Sequence, residues 1–301
     1  MIDNILFACD FSPSSNRALA YGVDLVERTG ATLHFMHVNE VSMGPFVGGE
    51  PSPEAGHGKL KAQFDDRCKE ALTSYTLDPD DERLSYVVER SAATAPAIMQ
   101  YAEEHEVDLI VMGTHGRRGV KRVLFGSVAE EVLRSAPCPV LTARTGEDDE
   151  YTPTPGSVER LVAPIDFSDA SRSALQYAVR LSTLYDAPLT LAHVVELPKI
   201  PTVYDVEFSD LSPEEIEARV RTELEEWGRS IGREGPEISY VVESGDPVPT
   251  LLDLASTPKD LVVMATHGLS GLKRRVLGSV AEGVLRRAPG PVITGREFPK
   301  Q

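Results

Sequence analysis

The sequence predicts two tandem α/β domains, each built on an open, doubly wound parallel sheet with helices on both faces. A segment near residue 113 recurs near residue 265, and 18 of the 28 positions in 113–140 and 265–292 are identical, which indicates a duplication. Short apolar runs alternate with helical patterns, as expected of parallel strands covered on both sides. An acidic, Pro-rich stretch separates the halves. These observations predict domains at 1–145 and 158–297, joined by a linker at 146–157 that buries no apolar surface.

In the first half, apolar runs predict five strands, and helical periods predict four helices between them. The predicted strands are 5–9, 32–38, 84–89, 109–112 and 139–142. The predicted helices are 18–27, 59–74, 95–104 and 128–134. Ser12 is placed to cap the first helix, with Pro13 in its first turn. Residues 42–58 are rich in Gly and Pro and predict a loop.

The second half repeats this order of elements. The predicted strands are 161–165, 189–194, 238–242, 261–264 and 292–294. The predicted helices are 170–184, 213–231, 248–255 and 280–286. Ser212 followed three residues later by Glu215 predicts a capping box at the start of the second of these helices. In such sheets ligands bind beyond the carboxyl ends of the strands, so the loop after the fourth strand is well placed for function.

Composition excludes several classes of partner. The chain has 301 residues, a net charge of −17 and a pI near 4.9, which argues against nucleic acid and anionic membranes as partners. Its three cysteines lack Cys-x-x-Cys spacing, so we expect reduced thiols and neither a disulfide framework nor a thiolate metal site. The first residues enter a strand pattern without a basic region or a long apolar run. We therefore expect an acidic, soluble, cytoplasmic protein.

The repeated loop has the composition of a phosphate-binding turn. In the first half, Gly113 and Gly116 are followed after nine residues by Gly126 and Ser127, which open a predicted helix. Glycines let backbone N–H groups approach an anion, the serine adds a hydroxyl donor, and a helix start supplies free N–H groups and a positive dipole end. The alternative is a helix entry in which the glycines serve only the backbone.

With this spacing present twice, the chain resembles the universal stress protein family over both halves. The family signature is Gly, two residues, Gly, nine residues, Gly, then Ser or Thr, and in the nucleotide-binding branch this loop holds the phosphates of ATP. The resemblance implies two Rossmann-like domains, each with a five-stranded parallel sheet in the order 3-2-1-4-5 and pairing through strand five. It also implies that an Asp after strand one and a Val at the end of strand two lie near the adenosine.

Mapped onto this sequence, the resemblance implies one nucleotide-binding set in each half. The first set is Asp10, Val38, Met112, Gly113, Gly116, Gly126, Ser127 and Val128. The second set is Pro164, Asp166, Val194, Met264, Gly268, Gly278, Ser279 and Val280. Two positions depart from the family pattern: Ala8 replaces a Pro, and Ala265 replaces the first Gly of the second loop. Because a methyl group at position 265 could crowd the ligand, the second site is expected to be the weaker one.

Asp10 and Asp166 follow the first strand of each half and have two interpretations. Their carboxylates could accept hydrogen bonds from adenine or ribose, or hold Mg²⁺ beside phosphates. Each could instead cap the following helix, because Asp is a favoured capping residue. No motif of metal ligands such as His-Glu-x-x-His is present, so no metal site made by protein groups alone is predicted.

The histidines are matched between the halves: His115 with His267 in the loops, and His37 with His193 at the end of strand two. They could act as general acids near a phosphate. The alternative is an imidazole hydrogen-bonded to neighbouring backbone in a packed site.

Other candidate residues also have two interpretations. Four basic residues follow the loops and could meet phosphate oxygens or form a solvated turn. They are Lys121, Arg122, Lys273 and Arg274. Cys9, beside Asp10, is either a packed small residue or a redox-sensitive thiol.

No nucleophile and base with a clear reaction geometry emerge, so no catalytic residue is assigned. The leading hypothesis is an ATP-binding stress-response regulator whose occupied state is recognised by a protein partner. The alternatives are slow ATP hydrolysis in the same loops, with His115, Asp10 and Mg²⁺ involved, and a nucleotide-independent interaction scaffold. Covalent duplication favours pairing of the two strand-five edges within one chain, a pseudo-dimer, and leaves a homodimer open.

Overall fold

The computed structural model describes the chain in seven stretches. These are residues 2–41, 53–114, 126–145, 151–196, 212–231, 237–267 and 277–299. The chain divides after Ser157 into two compact units. Within the described stretches, no helix is both long and apolar enough to cross a membrane.

The first unit alternates strands and helices from its start. Its strands are β1 (Asn4–Ala8), β2 (Thr32–Glu40), β3 (Leu84–Ser91), β4 (Leu109–Gly113) and β5 (Val140–Ala143). Its helices are α1 (Pro13–Thr29), α2 (Pro53–Leu72), α3 (Thr94–Glu104) and α4 (Ser127–Ser135). Residues 53–58, which the sequence predicted to be part of a loop, are therefore helical.

The second unit repeats the arrangement. Its strands are β6 (Arg160–Pro164), β7 (Leu189–Val195), β8 (Ile238–Ser244), β9 (Asp260–Ala265) and β10 (Val292–Gly295). Its helices are α5 (Asp169–Tyr185), α6 (Pro213–Arg229), α7 (Pro247–Leu254) and α8 (Ser279–Arg287). Every predicted strand and helix is present in the described residues.

Both sheets have the order implied by the resemblance. In the first unit β1 pairs with β2 and β4, β2 also pairs with β3, and β4 pairs with β5, all in parallel. In the second unit β6 pairs with β7 and β9, β7 with β8, and β9 with β10, again in parallel. Both orders are 3-2-1-4-5, so the strand order reverses at the first strand of each unit. The predicted fold class is confirmed.

The central strand of each sheet forms the core because neighbours flank it and helices cover it. Leu6 pairs with His34 on one side and Ile110 on the other, and its side chain is fully buried. Val162 holds the equivalent position in the second unit, where it pairs with Thr190 and Val262, and its side chain is also buried. A buried Leu or Ile side chain stabilises the fold by about 2 kcal/mol.

Local signals fix the ends of the helices. Ser12 caps α1, which begins with Pro13 and ends at Gly30 in a left-handed conformation with φ 73°. Ser212 and Glu215 form the complete capping box at the start of α6. These caps confirm the sequence-based predictions and satisfy backbone groups that a helix end leaves unpaired.

The segment after the last strand packs on the first helix in each unit. In the first unit the Gly156 N–H donates to Asp24 Oδ1 of α1 at 2.9 Å, and Arg17 lies over the Tyr151 ring at 5.2 Å. In the second unit the ring of Phe298 lies 5.1 Å from that of Tyr177 in α5. The expectation that residues 146–157 bury no apolar surface is therefore wrong for the described part, in which Pro153 is buried.

Candidate nucleotide site

An aspartate holds a tight turn directly after the first strand of each unit. Asp10 Oδ1 accepts the Ser12 N–H at 2.9 Å, and Asp166 Oδ1 accepts the Ser168 N–H at 3.0 Å. The phenylalanine between the aspartate and the serine has φ 57° in the first unit (Phe11) and 62° in the second (Phe167), a left-handed conformation that is rare for a bulky side chain. The aspartate hydrogen bond stabilises this strained turn.

Serines, and not aspartates, cap the helices that follow. Ser12 Oγ accepts the Ser15 N–H at 3.2 Å, and Ser168 Oγ accepts the Ser171 N–H at 3.1 Å. The interpretation of Asp10 and Asp166 as helix caps is therefore wrong. Each aspartate instead stabilises the turn that positions the capping serine.

The helices that follow the repeated loops begin differently. Gly126 and Gly278 occupy the N-cap positions of α4 and α8, and among the described residues no side chain caps either helix. Their own N–H groups donate to Thr114 O at 2.9 Å and to Thr266 O at 2.8 Å, which ties each helix start to the end of the preceding strand. An uncapped helix start presents N–H donors and the positive end of the helix dipole, the arrangement that binds anions.

In the second unit these elements enclose a cleft of about 320 Å³. The ends of β6, β7 and β9 form one side, and the starts of α5, α7 and α8 form the other. Seven of the eight residues predicted for the second site line it. They are Pro164, Asp166, Val194, Met264, Gly278, Ser279 and Val280. The eighth, Gly268, lies outside the described residues.

The first-site residues occupy the corresponding positions of the first unit. Asp10 lies in the turn after β1, and Val38 near the end of β2. Met112 and Gly113 end β4, and Gly126, Ser127 and Val128 open α4. Gly116 lies outside the described residues, as do His115 and the four basic candidates, Lys121, Arg122, Lys273 and Arg274.

Gly113 is required for packing, in addition to its place in the loop motif. A Cβ at this position would lie 2.5 Å from the Ser15 backbone N and 2.6 Å from both the carbonyl carbon and Oγ of Ser14. Contacts this short are not made by real Cβ atoms, and two of the three partners are backbone atoms. The glycine therefore lets the end of β4 touch the start of α1, and its missing side chain would point at that helix.

The second unit has a different pair at the same place. Ala265 ends β9 where Gly113 ends β4, and Ala170 stands in α5 where Ser14 stands in α1. The unit with the extra methyl group on the strand thus lacks the hydroxyl on the helix. Ala265 still borders the cleft.

The histidines at the end of strand two are held by backbone. His37 Nδ1 lies 2.8 Å from Cys9 O, and His193 Nδ1 lies 2.6 Å from Ile165 O. Each imidazole thus links the second strand to the end of the first, which confirms the packed interpretation for this pair. His267 borders the cleft with its Nδ1 2.9 Å from Thr266 Oγ1.

The cysteine beside Asp10 is packed in the core. Cys9 is 6% exposed, and the fully buried Cys68 forms a side-chain hydrogen bond with it. This bond and burial raise the pKa of the Cys68 thiol above its usual value. A buried thiol with a raised pKa is mostly protonated and therefore weakly nucleophilic.

The family follows from a comparison of the whole chain. The sequence model of the Universal stress protein family matches residues 1–144 and 157–295. The chain belongs to this family.

Curated relatives share this assignment. A universal stress protein of Mycobacterium tuberculosis is 31% identical over 226 residues, which cover 72% of this chain and 71% of the relative. A universal stress protein of Methanocaldococcus jannaschii is 32% identical over 142 residues, covering 46% of this chain and 81% of the relative. Both relatives carry the family name.

Solved structures match the fold. A universal stress protein from Archaeoglobus fulgidus has a TM-score of 0.66 at 20% identity and covers 98% of both chains. A putative universal stress protein from Pseudomonas aeruginosa has a TM-score of 0.62 at 17% identity and covers 97% of this chain and 92% of the other. These two likenesses establish the tandem fold.

Sequence reasoning missed several residues of the cleft, among them Ser171, Glu196 and Pro247. Ser171 had a signal, because Ser15 and Ser171 fall at the same place in the two halves. Glu196 had one as well, because Glu40 follows Val38 at the spacing with which Glu196 follows Val194.

Proposed function

We propose that each unit binds an adenine nucleotide, ATP, and that the protein is a cytoplasmic stress-response regulator rather than an efficient enzyme. The observation that supports this most is the cleft of the second unit, where the uncapped start of α8 meets the ends of β6, β7 and β9. A ligand with anionic and apolar parts fits such a cleft, because N–H donors lie at one part and Val194, Leu251 and Met264 line another.

The proposal includes both units despite Ala265. The sequence-based expectation of a weaker second site assumed a methyl group directed at the ligand. In the first unit the corresponding direction leads to the start of α1. With Ala170 in place of a serine, the second unit has more room at that contact, so we propose that Ala265 faces α5 and leaves the phosphate region open.

Mg²⁺ would accompany the phosphates rather than occupy a site made by the protein. Within the described stretches, no three His, Cys, Asp or Glu side chains lie together so as to hold a metal ion. Asp166 borders the cleft, and its carboxylate is the kind of oxygen ligand that Mg²⁺ takes. It would therefore be a single protein ligand beside phosphate oxygens.

Slow ATP hydrolysis is the second candidate, and His267 is the observation that favours it. The imidazole borders the cleft, and a histidine near a phosphate can act as a general acid or base. A His267→Ala variant that keeps the same hydrolysis rate would remove this role.

Calorimetry with ATP and Mg²⁺ on protein stripped of bound nucleotide tests the proposal. We expect two equivalents per chain, and a loss of one equivalent in each of Gly126→Val and Gly278→Val. Mass spectrometry of the nucleotide released by denaturation identifies the base. One equivalent, lost only in Gly126→Val, would show that the second site is weakened. No binding by folded protein would leave the interaction scaffold.

A further inference from the structure

A carboxylate follows the second strand of each unit, on the side where the cleft opens. Glu196 comes directly after β7 and lines the cleft of the second unit. Glu40 ends β2 at the corresponding place in the first unit. Both carboxylates thus lie at the carboxyl end of the strand next to the central one.

The two carboxylates differ in their partners. Glu40 Oε1 accepts the hydroxyl of Thr94, the first residue of α3, at 2.6 Å. The first residue of α7 is Pro247, which has no hydroxyl. Glu196 is exposed, and among the described residues its carboxylate has no hydrogen-bond partner. Both of its oxygens therefore remain available to a ligand.

The neighbouring carboxylate has another task. Asp166 Oδ1 accepts both the N–H and the hydroxyl of Ser168, at 3.0 and 2.6 Å. It therefore holds the turn after β6. Glu196 is not used in this way, although it borders the same cleft.

We infer that Glu196 accepts hydrogen bonds from the ribose hydroxyls of the bound nucleotide and selects ribonucleotides over deoxyribonucleotides. This inference rests on the proposed function. Glu196 and Val194 line the cleft at the end of β7, and the start of α8 lines another part of it, so a nucleotide whose phosphates meet α8 extends its nucleoside toward Glu196. The two hydroxyls of a ribose are donors, and a carboxylate with two available oxygens accepts both. Glu40 has one oxygen already engaged by Thr94.

The test compares ATP with 2′-deoxy-ATP and 3′-deoxy-ATP by calorimetry on the full chain. In the wild type we expect one equivalent to bind each deoxy analogue about ten times more weakly than ATP, as the loss of one hydrogen bond to a charged group predicts. In Glu196→Ala this ratio falls to about one. The matched control is Glu40→Ala, in which the equivalent that discriminates keeps its ratio. Trp227 fluorescence verifies that the second unit of each variant is folded.

The outcomes separate the inference from the proposed function. ATP binding with an undiminished ratio in Glu196→Ala overturns the inference and leaves nucleotide binding intact. A ratio that falls in Glu40→Ala and not in Glu196→Ala also overturns it. Failure of the folded wild type to bind ATP overturns the proposed function and the inference with it.

Discussion

The two units have different residue pairs where the end of the fourth strand meets the start of the first helix. In the first, Gly113 at the end of β4 meets Ser14 at the start of α1, and there is no room for a Cβ. In the second, the corresponding pair is Ala265 and Ala170. A glycine that belongs to a ligand-binding signature is thus also required for packing. Departure from the signature is informative only together with the residue across the contact.

The exchange also changes the hydrogen bonds of the turn. In the first unit Ser12 Oγ lies 3.3 Å from Ser14 Oγ. The second unit has no hydroxyl at position 170, and there Ser168 Oγ donates to Asp166 Oδ1 at 2.6 Å. The hydroxyl contact between Ser12 and Ser14 therefore has no counterpart in the second unit. Substitutions that add or remove a single methyl or hydroxyl group at this contact test the difference between the two units.

The largest effect is expected from Gly113→Ala. The new methyl group would overlap backbone atoms of Ser14 and Ser15, so α1 must shift, at a cost of about 3 kcal/mol in the free energy of unfolding of the first unit. Urea unfolding followed by far-UV circular dichroism measures this loss. The only tryptophan, Trp227, lies in the second unit, so its fluorescence reports that unit separately.

The matched control for this change is Ala265→Gly in the second unit. Removing a methyl group from a site that accommodates it should cost about 1 kcal/mol or less, mainly through the added freedom of glycine in the unfolded chain. Equal losses for Gly113→Ala and Ala265→Gly would contradict the proposed difference between the two contacts.

The next effect is expected from Ala170→Ser, which places in the second unit the hydroxyl found at Ser14. Beside the Ala265 methyl group this oxygen should be overpacked and should destabilise the second unit by about 2 kcal/mol. Adding Ala265→Gly should recover most of that loss. The Trp227 transition in urea measures both variants. A double variant no more stable than Ala170→Ser alone would show that the two residues are not coupled.

Local sequence patterns predicted the strands and helices but not the packing contacts between them. Alternating apolar runs predicted the strands, because buried parallel strands need apolar residues on both faces. The apolar period of α1 was read only from residue 18, because Ser14, Ser15 and Arg17 are buried although they are polar, and the capping signal at Ser12 alone placed the start of the helix. The packing role of Gly113 depends on a helix start that is far away in the chain. A local sequence pattern cannot predict the approach of two segments that are far apart in the chain.

The candidate site divides in the same way. The loop spacing predicted Gly278 and Ser279, which line the cleft, because backbone approach to an anion needs those residue types in that order. It could not show that the aspartates hold a turn, since a lone Asp after a strand suits several roles. Glu196 was missed for the same reason. Only its match with Glu40 in the other half was available as a signal.

A smaller effect is expected when the hydroxyl is removed from the first unit. Ser14→Ala in the Gly113→Ala background should recover about 1 kcal/mol of the lost stability, because one of the three short contacts disappears and the backbone contacts remain. Far-UV circular dichroism in urea measures the recovery. Strict additivity of the two single changes would mean that the hydroxyl does not contribute to the conflict.

The smallest effect is expected at the two helix caps. Ser12→Ala and Ser168→Ala each remove the side-chain acceptor at the start of a helix, which costs about 1 kcal/mol. Ser168 also donates to Asp166, so Ser168→Ala removes a hydrogen bond to that carboxylate as well and should cost about 0.5 kcal/mol beyond the loss of the cap. Trp227 fluorescence in urea measures the loss in the second unit, and far-UV circular dichroism measures the loss in Ser12→Ala. A loss in Ser168→Ala no larger than that of a cap alone would show that the second hydrogen bond to Asp166 does not stabilise the turn.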